Sequence, residues 1–439
     1  MKKNDIFEAV CEAYDAFGMG VLRHEGMVIF CRGILEGERA LCRLIKDKKT
    51  YGYAKIEELL EKNPERREPI CPVFGLCGGC DLMHMSYKEE LRLKRENVKA
   101  AFLKIGGMDI EPEETVPSEI FLRYRNKVQL PLSREKNPKI GFFRKNTNEI
   151  IEFHDCLMQT ELSNEIIREI KSLLEAGDAS ALRHIIIRHA YFENEVMLIL
   201  VSEKDSDYGF LTKPLIQKFS EIKSIILNIN KRKDNVILGK RERTLFGEDR
   251  IREKLCGLEF KISSKAFFQI NARQCERLYK RALDSLELKK DDVLVDLYCG
   301  IGTMALIAAN SVKKVYGIEI VKEAIDNAFE NAAINKIENA EFFCADAAEG
   351  ARIIKERGLK PTALIVDPPR KGLSPDAIDA IVKISPEKIS YVSCNEATLA
   401  RDVKILREKG YEIKSLAPYD MFPRTRHVEC VVLMSRVEK

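Results

Sequence analysis

The spacing of apolar and polar positions changes character twice along the chain. Residues 1–62 read as short strands, with apolar clusters in 26–33 and 40–47 set between turns at Gly18, Gly20, Gly26, Gly33 and Gly37. A small β-barrel is the simplest closure for such strands. The segment 71–80 reads as a loop. It leads into a helix expected over 86–105, where Leu91, Lys94 and Val98 to Phe102 predict alternating apolar and basic faces. From there to about 265, strands at 183–190, 195–202 and 224–231 mix with a helix at 161–177, as in an α+β domain.

Beyond residue 285 the alternation becomes regular. Strands are expected at 291–300, 313–320, 340–346, 362–370, 388–395 and 428–435, with helices opening near 303 and 322. Strands alternating with helices predict a parallel, doubly wound sheet. The chain therefore divides into 1–62, 63–265 and 266–439, a small barrel, an α+β region and an α/β domain.

Composition adds limits. With 439 residues, 45% hydrophobic and 32% charged, the chain can bury more than one core. No apolar run approaches the roughly 18 to 20 residues that cross a bilayer, and the polar first residues do not read as an export signal, so no membrane partner and a cytoplasmic location are expected. Thirteen cysteines, an odd number, suit metal or catalytic use in a reducing compartment better than a disulfide framework. The net charge of +4 is too small to argue for nucleic acid. Locally, 121–147 holds eight basic residues (Arg123, Arg125, Lys127, Arg134, Lys136, Lys139, Arg144, Lys145) against the single acid Glu135.

Chemistry concentrates in the last domain. The run Asp296 to Thr303 follows a strand and opens a helix, so Gly300 and Gly302 stand where a ligand approaches backbone. Ala305 breaks the G-x-G-x-x-G pattern, which argues against a dinucleotide. Glu319, ending the next strand, can take both hydroxyls of a ribose, and Asp346 can hold the adenine side. The three together resemble Rossmann-like methyltransferases.

Asp367-Pro368-Pro369-Arg370 and Ser393-Cys394-Asn395 both fall at the carboxyl edge of the expected sheet, where ligands of open α/β sheets bind. Amino-group methyltransferases tend to follow the proline pair with an aromatic residue, whereas Arg370 stands here. Cys394 points to a different substrate. A thiolate added to carbon 6 of uracil turns carbon 5 into an enolate carbon able to accept a methyl group, and a carboxylate must later remove the carbon 5 proton. Glu429 is the candidate base, with His427 on the same face of its strand.

With Phe267, Phe268, Gln269 and Asn271, these residues resemble the RNA 5-methyluridine methyltransferase family, in its bacterial 23S ribosomal RNA branch, over nearly the whole chain. The resemblance implies an α/β fold: a Rossmann-like class I methyltransferase domain with an N-terminal TRAM/OB-like barrel that binds RNA and a central α+β domain. It implies an S-adenosyl-L-methionine site made of Gln269, Tyr298, Thr303, Glu319, Asp346 and Asp367, with Cys394 as nucleophile, Glu429 as base and Phe267 near a flipped uracil. The expected partner is 23S ribosomal RNA and the expected state a monomer. The chain departs from relatives at Glu396, where proline is common.

Cys71, Cys77 and Cys80 have C-x5-C-x2-C spacing, which leaves iron–sulfur or zinc open. The resemblance matches Cys156 to a fourth ligand and implies a [4Fe–4S] cluster. Two rival readings remain: a transfer RNA uridine methyltransferase, and an RNA-binding assembly factor with a vestigial site.

Overall fold

The structure is a computed structural model that describes residues 1–135 and 138–437. Five strands between Ile6 and Glu61 close into a barrel around Phe7, Cys11, Leu22, Ile29, Cys42 and Leu44, as the alternation over 1–62 predicts. A second apolar cluster, Leu35, Leu82, Met85 and Leu93, seats the barrel against the following helix, with Tyr14 Oη donating to Glu89 Oε1 at 3.0 Å.

That helix runs Tyr87–Ala101 and continues as a π-turn, Phe102–Gly106. Ser86 caps it by accepting from Glu89 N at 3.1 Å, and Gly107 ends it in the left-handed region. The expected basic face differs at Lys94, which is fully buried. Its ammonium lies 2.8 Å from Glu90 Oε1 and 2.5 Å from Asp420 Oδ1, and Asp420 also accepts from Tyr87 Oη at 2.7 Å. A buried lysine is tolerable only with such compensation. Val98, Ala101 and Phe102 pack on the large sheet with Val432 and Tyr391, so this helix is bound to the catalytic layer.

The central region holds a five-stranded sheet whose middle strands, Leu182–Ala190 and Glu195–Ser202, are almost wholly buried. Ile186, Met197, Ile199 and Val201 share one core with Phe260, Leu278 and Met304, so the core is continuous from this sheet into the last domain.

The large sheet has seven strands. Five are parallel, in spatial order Ala340–Cys344, Lys314–Glu319, Val293–Leu297, Ala363–Val366, Lys388–Ser393. The sixth, Glu429–Arg436, runs antiparallel to Lys388–Ser393 and pairs with an edge strand, Tyr411–Tyr419. The sheet is thus mixed where the sequence predicts a parallel one, and the edge strand is an addition. Pro418 masks it in the sequence, and an edge is where proline is tolerated in a sheet. No helix among the described residues is long and apolar enough to cross a membrane.

Candidate active site and cysteine cluster

The site lies along the carboxyl ends of the parallel strands. The strand Val293–Leu297 carries Asp296 one residue before its end, fully buried and, among the described residues, with no hydrogen-bond partner at either carboxylate oxygen. Tyr298 then turns the chain at φ 73°, a costly conformation for a bulky residue, and its amide donates to Ile318 O at 2.9 Å. Gly300 at φ 56° has open space where a Cβ would stand, while a Cβ on Gly302 would press on Phe342 and Ala328. The first glycine leaves room for a ligand and the second lets the helix Thr303–Ala309 pack closely.

Glu319 ends the adjoining strand and accepts from Gly300 N at 3.3 Å and Val321 N at 2.9 Å, which aims it at the glycine turn. Asp346 caps the helix Ala347–Glu356, accepting from Glu349 N at 2.9 Å. Burial first, and then the charges of Asp402, Glu319 and Asp346, hold the Tyr298 hydroxyl above its ordinary value. Gln269 is buried, its carbonyl held by Asn126 Nδ2 at 3.0 Å, and Phe267 beside it is exposed. Thr303 lies at the helix start.

Asp367 joins the two halves. Burial lifts its carboxyl to about 7, and its charge reaches Asp296, Cys394 and Glu429. Cys394 follows the strand Lys388–Ser393 and precedes Asn395, whose side chain caps the next helix by accepting from Ala397 N at 3.0 Å and Thr398 N at 3.1 Å. Glu396 is therefore the first helical residue, a position that suits proline and acid alike, so the departure from relatives leaves the turn intact. Ser393 pairs with Cys430, which brings Cys394 beside Glu429. Burial, Glu429 and Asp367 raise the Cys394 thiol to about 11, while Arg370 opposes them. Burial and Asp367 hold Glu429 well above the usual carboxylate range, again against Arg370. His427, pushed down to about 4 by burial and by Arg370 and Arg426, is neutral at physiological pH.

Seven of the eight residues expected at the catalytic and donor positions thus lie along one edge of one sheet, and the eighth, Gln269, approaches from the preceding segment. Two further residues escaped the sequence reading. Asp296 reads there as the first residue of the glycine run with no role of its own, and its isolation emerges from packing. Ile320 is 67% exposed beside Glu319, an apolar surface at the ligand turn with no signal in the sequence.

The basic run 121–147 does not form a free cationic face. Arg123 pairs with Asp155, Arg134 with Glu203, Lys139 with Glu135, Arg144 with Glu149 and Lys145 with Asp81. Arg125 stacks on Tyr124 and Lys127 is half-buried, while Lys136 lies outside the described residues.

Cys71, Cys80 and Cys156 border one small core around Met83, Tyr124 and Met158. Burial and neighbouring thiols raise Cys80 to about 12 and lift Cys77 and Cys156, and the charge of Arg125 reaches all three. The four thiols expected as ligands are neighbours, and sulfur donors beside a buried cation suit a thiolate-bound group. Among the described residues, however, no set of three or more Cys, His, Asp or Glu is arranged to hold a metal ion.

A doubly wound sheet with a glycine turn and an acid closing the second strand defines a class I methyltransferase. Residues 86–437 match the family described as tRNA (Uracil-5-)-methyltransferase. An uncharacterized RNA methyltransferase of Clostridium acetobutylicum is 40% identical over 454 residues, covering 100% of this chain and 99% of its own length. One of Bacillus cereus is 37% identical, covering 100% and 98%. Among solved structures, the Pyrococcus abyssi tRNA (uracil-54, C5)-methyltransferase in complex with S-adenosyl-L-homocysteine aligns with a TM-score of 0.77 at 29% identity, over 97% of this chain and 99% of that one. The chain belongs to the tRNA (uracil-5-)-methyltransferase family, whose members are S-adenosylmethionine-dependent enzymes acting on carbon 5 of uracil in RNA. Because the match to a transfer RNA enzyme extends over the barrel, the barrel does not separate transfer RNA from ribosomal RNA as target.

Proposed function

We propose that this enzyme methylates carbon 5 of specific uridines in 23S ribosomal RNA, with Cys394 as nucleophile and Glu429 as base. The observation that carries the chemistry is the pairing of Ser393 with Cys430, which sets a thiol beside a buried carboxylate at the ligand edge of the sheet.

In this reading Glu319, Asp346, Gln269, Tyr298, Thr303 and Asp367 hold S-adenosylmethionine, with Ile320 against the adenine. The site suits it: a cationic donor matches the Asp296, Glu319, Asp346 and Asp367 cluster and its unpaired Asp296 oxygens, and Gly300 leaves space for it. The donor supplies an electrophilic methyl group on a sulfonium.

Cys394 reaches the thiolate form with help from Arg370 and adds to carbon 6, which places the electron pair on carbon 5. Carbon 5 takes the methyl, and the sulfonium electron pair leaves with S-adenosylhomocysteine. Glu429 then accepts the carbon 5 proton, the double bond reforms and the thiolate is expelled. A target base paired or stacked in folded RNA must first be extruded.

The remaining assignments belong to the same proposal. The barrel acts as a TRAM-like RNA-binding module, the divisions fall at 62/63 and 265/266, and the protein works as a cytoplasmic monomer. Cys71, Cys77, Cys80 and Cys156 bind a [4Fe–4S] cluster that stabilises the fold and takes no part in methyl transfer. Likeness to the Pyrococcus enzyme favours transfer RNA as the second reading.

Nucleoside mass spectrometry decides between them. Unmodified 23S ribosomal RNA and transfer RNA are incubated with the enzyme and labelled donor. Labelled 5-methyluridine from 23S RNA alone supports the proposal, label in transfer RNA alone moves the enzyme to the second reading, and no label from either sinks both.

A further inference from the structure

The turn Asp15–Met19 at one end of the barrel presents Phe17 with 59% of its surface exposed. The turn is stiff: Asp15 Oδ1 accepts from Phe17 N and Met19 N, both at 2.8 Å, and Gly18 at φ 73° lies so close to Leu82 that a Cβ would stand 3.0 Å from it. Phe17 is therefore held in place with more than half of its surface open.

The Arg426 guanidinium stands over the Phe17 ring at 4.6 Å, within the range of a cation–π contact. Arg426 belongs to the loop 420–428 that leads into Glu429. Its charge acts on His427 and on Glu396, the residue two after Cys394. The barrel tip thus stands at the rim of the catalytic pocket, more than 370 residues away in sequence.

An exposed aromatic face costs solvation, and a rigid turn that maintains it suits a partner that stacks. Arginines at a rim suit a polyanion. Unpaired RNA bases combine both needs, a flat π-surface next to phosphate. A protein segment lacks the regular alternation of planar base and phosphate that meets the Phe17 face together with Arg426 and the exposed Arg370.

We propose that Phe17 and Arg426 form a stacking subsite for an unpaired nucleotide flanking the uridine attacked by Cys394, Phe17 taking the base and Arg426 the phosphate. This rests on the proposed action on RNA and adds a residue of the barrel to the specificity of the catalytic pocket.

The chain contains no tryptophan, so Phe17→Trp introduces a single tryptophan, excited apart from the tyrosines at the long-wavelength edge of its absorption, that keeps an aromatic face. Phe17→Ala removes it. The probe is the RNA that the wild-type enzyme labels. The expected result is about a tenfold higher KM for RNA in Phe17→Ala with the donor affinity unchanged. Phe17→Trp retains activity, and its emission is quenched by RNA and not by donor. A normal KM in Phe17→Ala together with no quench in Phe17→Trp overturns the subsite while wild-type labelling leaves the RNA reading standing. Absence of label from wild-type enzyme with either RNA overturns that reading and the subsite together.

Discussion

Cys394 and Glu429 sit at facing ends of two antiparallel strands, one step beyond the pair Ser393–Cys430. Thiol and carboxylate are thereby set by backbone hydrogen bonding, which is a stiffer support than two loops would give.

Separate roles for the two residues give opposite signatures. Cys394→Ala is expected to abolish both turnover and covalent RNA complexes. Glu429→Gln is expected to lower turnover by roughly a hundredfold or more while the complex accumulates, because elimination needs the carbon 5 proton removed. Denaturing gels of enzyme with labelled RNA read this directly, and a Glu429→Gln enzyme with normal turnover removes the base from the mechanism.

The Cys394 thiol is raised to about 11 by burial, Glu429 and Asp367, against the opposing pull of Arg370. In free enzyme its alkylation by iodoacetamide should accelerate about tenfold per pH unit across neutral and mildly alkaline pH, since only thiolate reacts. Arg370→Ala should move that profile upward by about one unit, because a nearby cation favours the charged form. A profile unmoved by the substitution separates Arg370 from thiol activation.

Much of this arrangement is legible in sequence because its parts are local. The buried runs at 293–297, 363–366 and 388–393 announce central strands, and the glycines after Asp296 announce the turn. What escapes is long-range. The antiparallel last strand and its Pro418-containing partner cannot be told from parallel strands by composition. Lys94 reads as a surface residue because its partner Asp420 lies 326 positions away. The run 121–147 reads as a concentration of positive charge because Asp81, Asp155 and Glu203, which neutralise part of it, come from elsewhere in the chain.

Asp367 carries a carboxyl raised to about 7 by burial. A cationic donor binds best to the ionised form, so S-adenosylmethionine affinity should rise between pH 6 and pH 8, by at most about tenfold for one group crossing its midpoint. Calorimetry at the two pH values checks the sign, and Asp367→Asn should weaken binding and flatten the rise. Affinity that falls with pH would falsify the placement of Asp367 against the donor.

Lys94 and Arg92 lie two residues apart on one helix and should differ sharply on substitution. Lys94→Met leaves Asp420 buried without its cation and Glu90 with Arg424 alone, an expected loss of about 3–5 kcal/mol. Arg92→Met breaks pairs with Glu36 and Glu89 from a half-exposed position, where about 0–1 kcal/mol is typical. Urea unfolding of the two variants measures the difference. Equal midpoints would mean that Lys94 is not the residue tying the first helix to the loop before Glu429.

The cysteine cluster gives the last test. Cys71, Cys80 and Cys156 border a small core beside Arg125, a cation whose charge reaches Cys77, Cys80 and Cys156. Thiolates binding a cluster would offset that half-buried charge, whereas four neutral thiols leave it, among the described residues, with the Tyr124 hydroxyl at 3.4 Å as its side-chain hydrogen-bond partner. Protein purified without oxygen should contain about four irons per chain and absorb as an iron–sulfur protein. Cys80→Ser and Cys156→Ser should each lose that iron and lower the unfolding temperature, while donor binding in the last domain persists. Iron-free protein that unfolds at the same temperature before and after treatment with a chelator would show that the four cysteines are a thiol cluster without a metal.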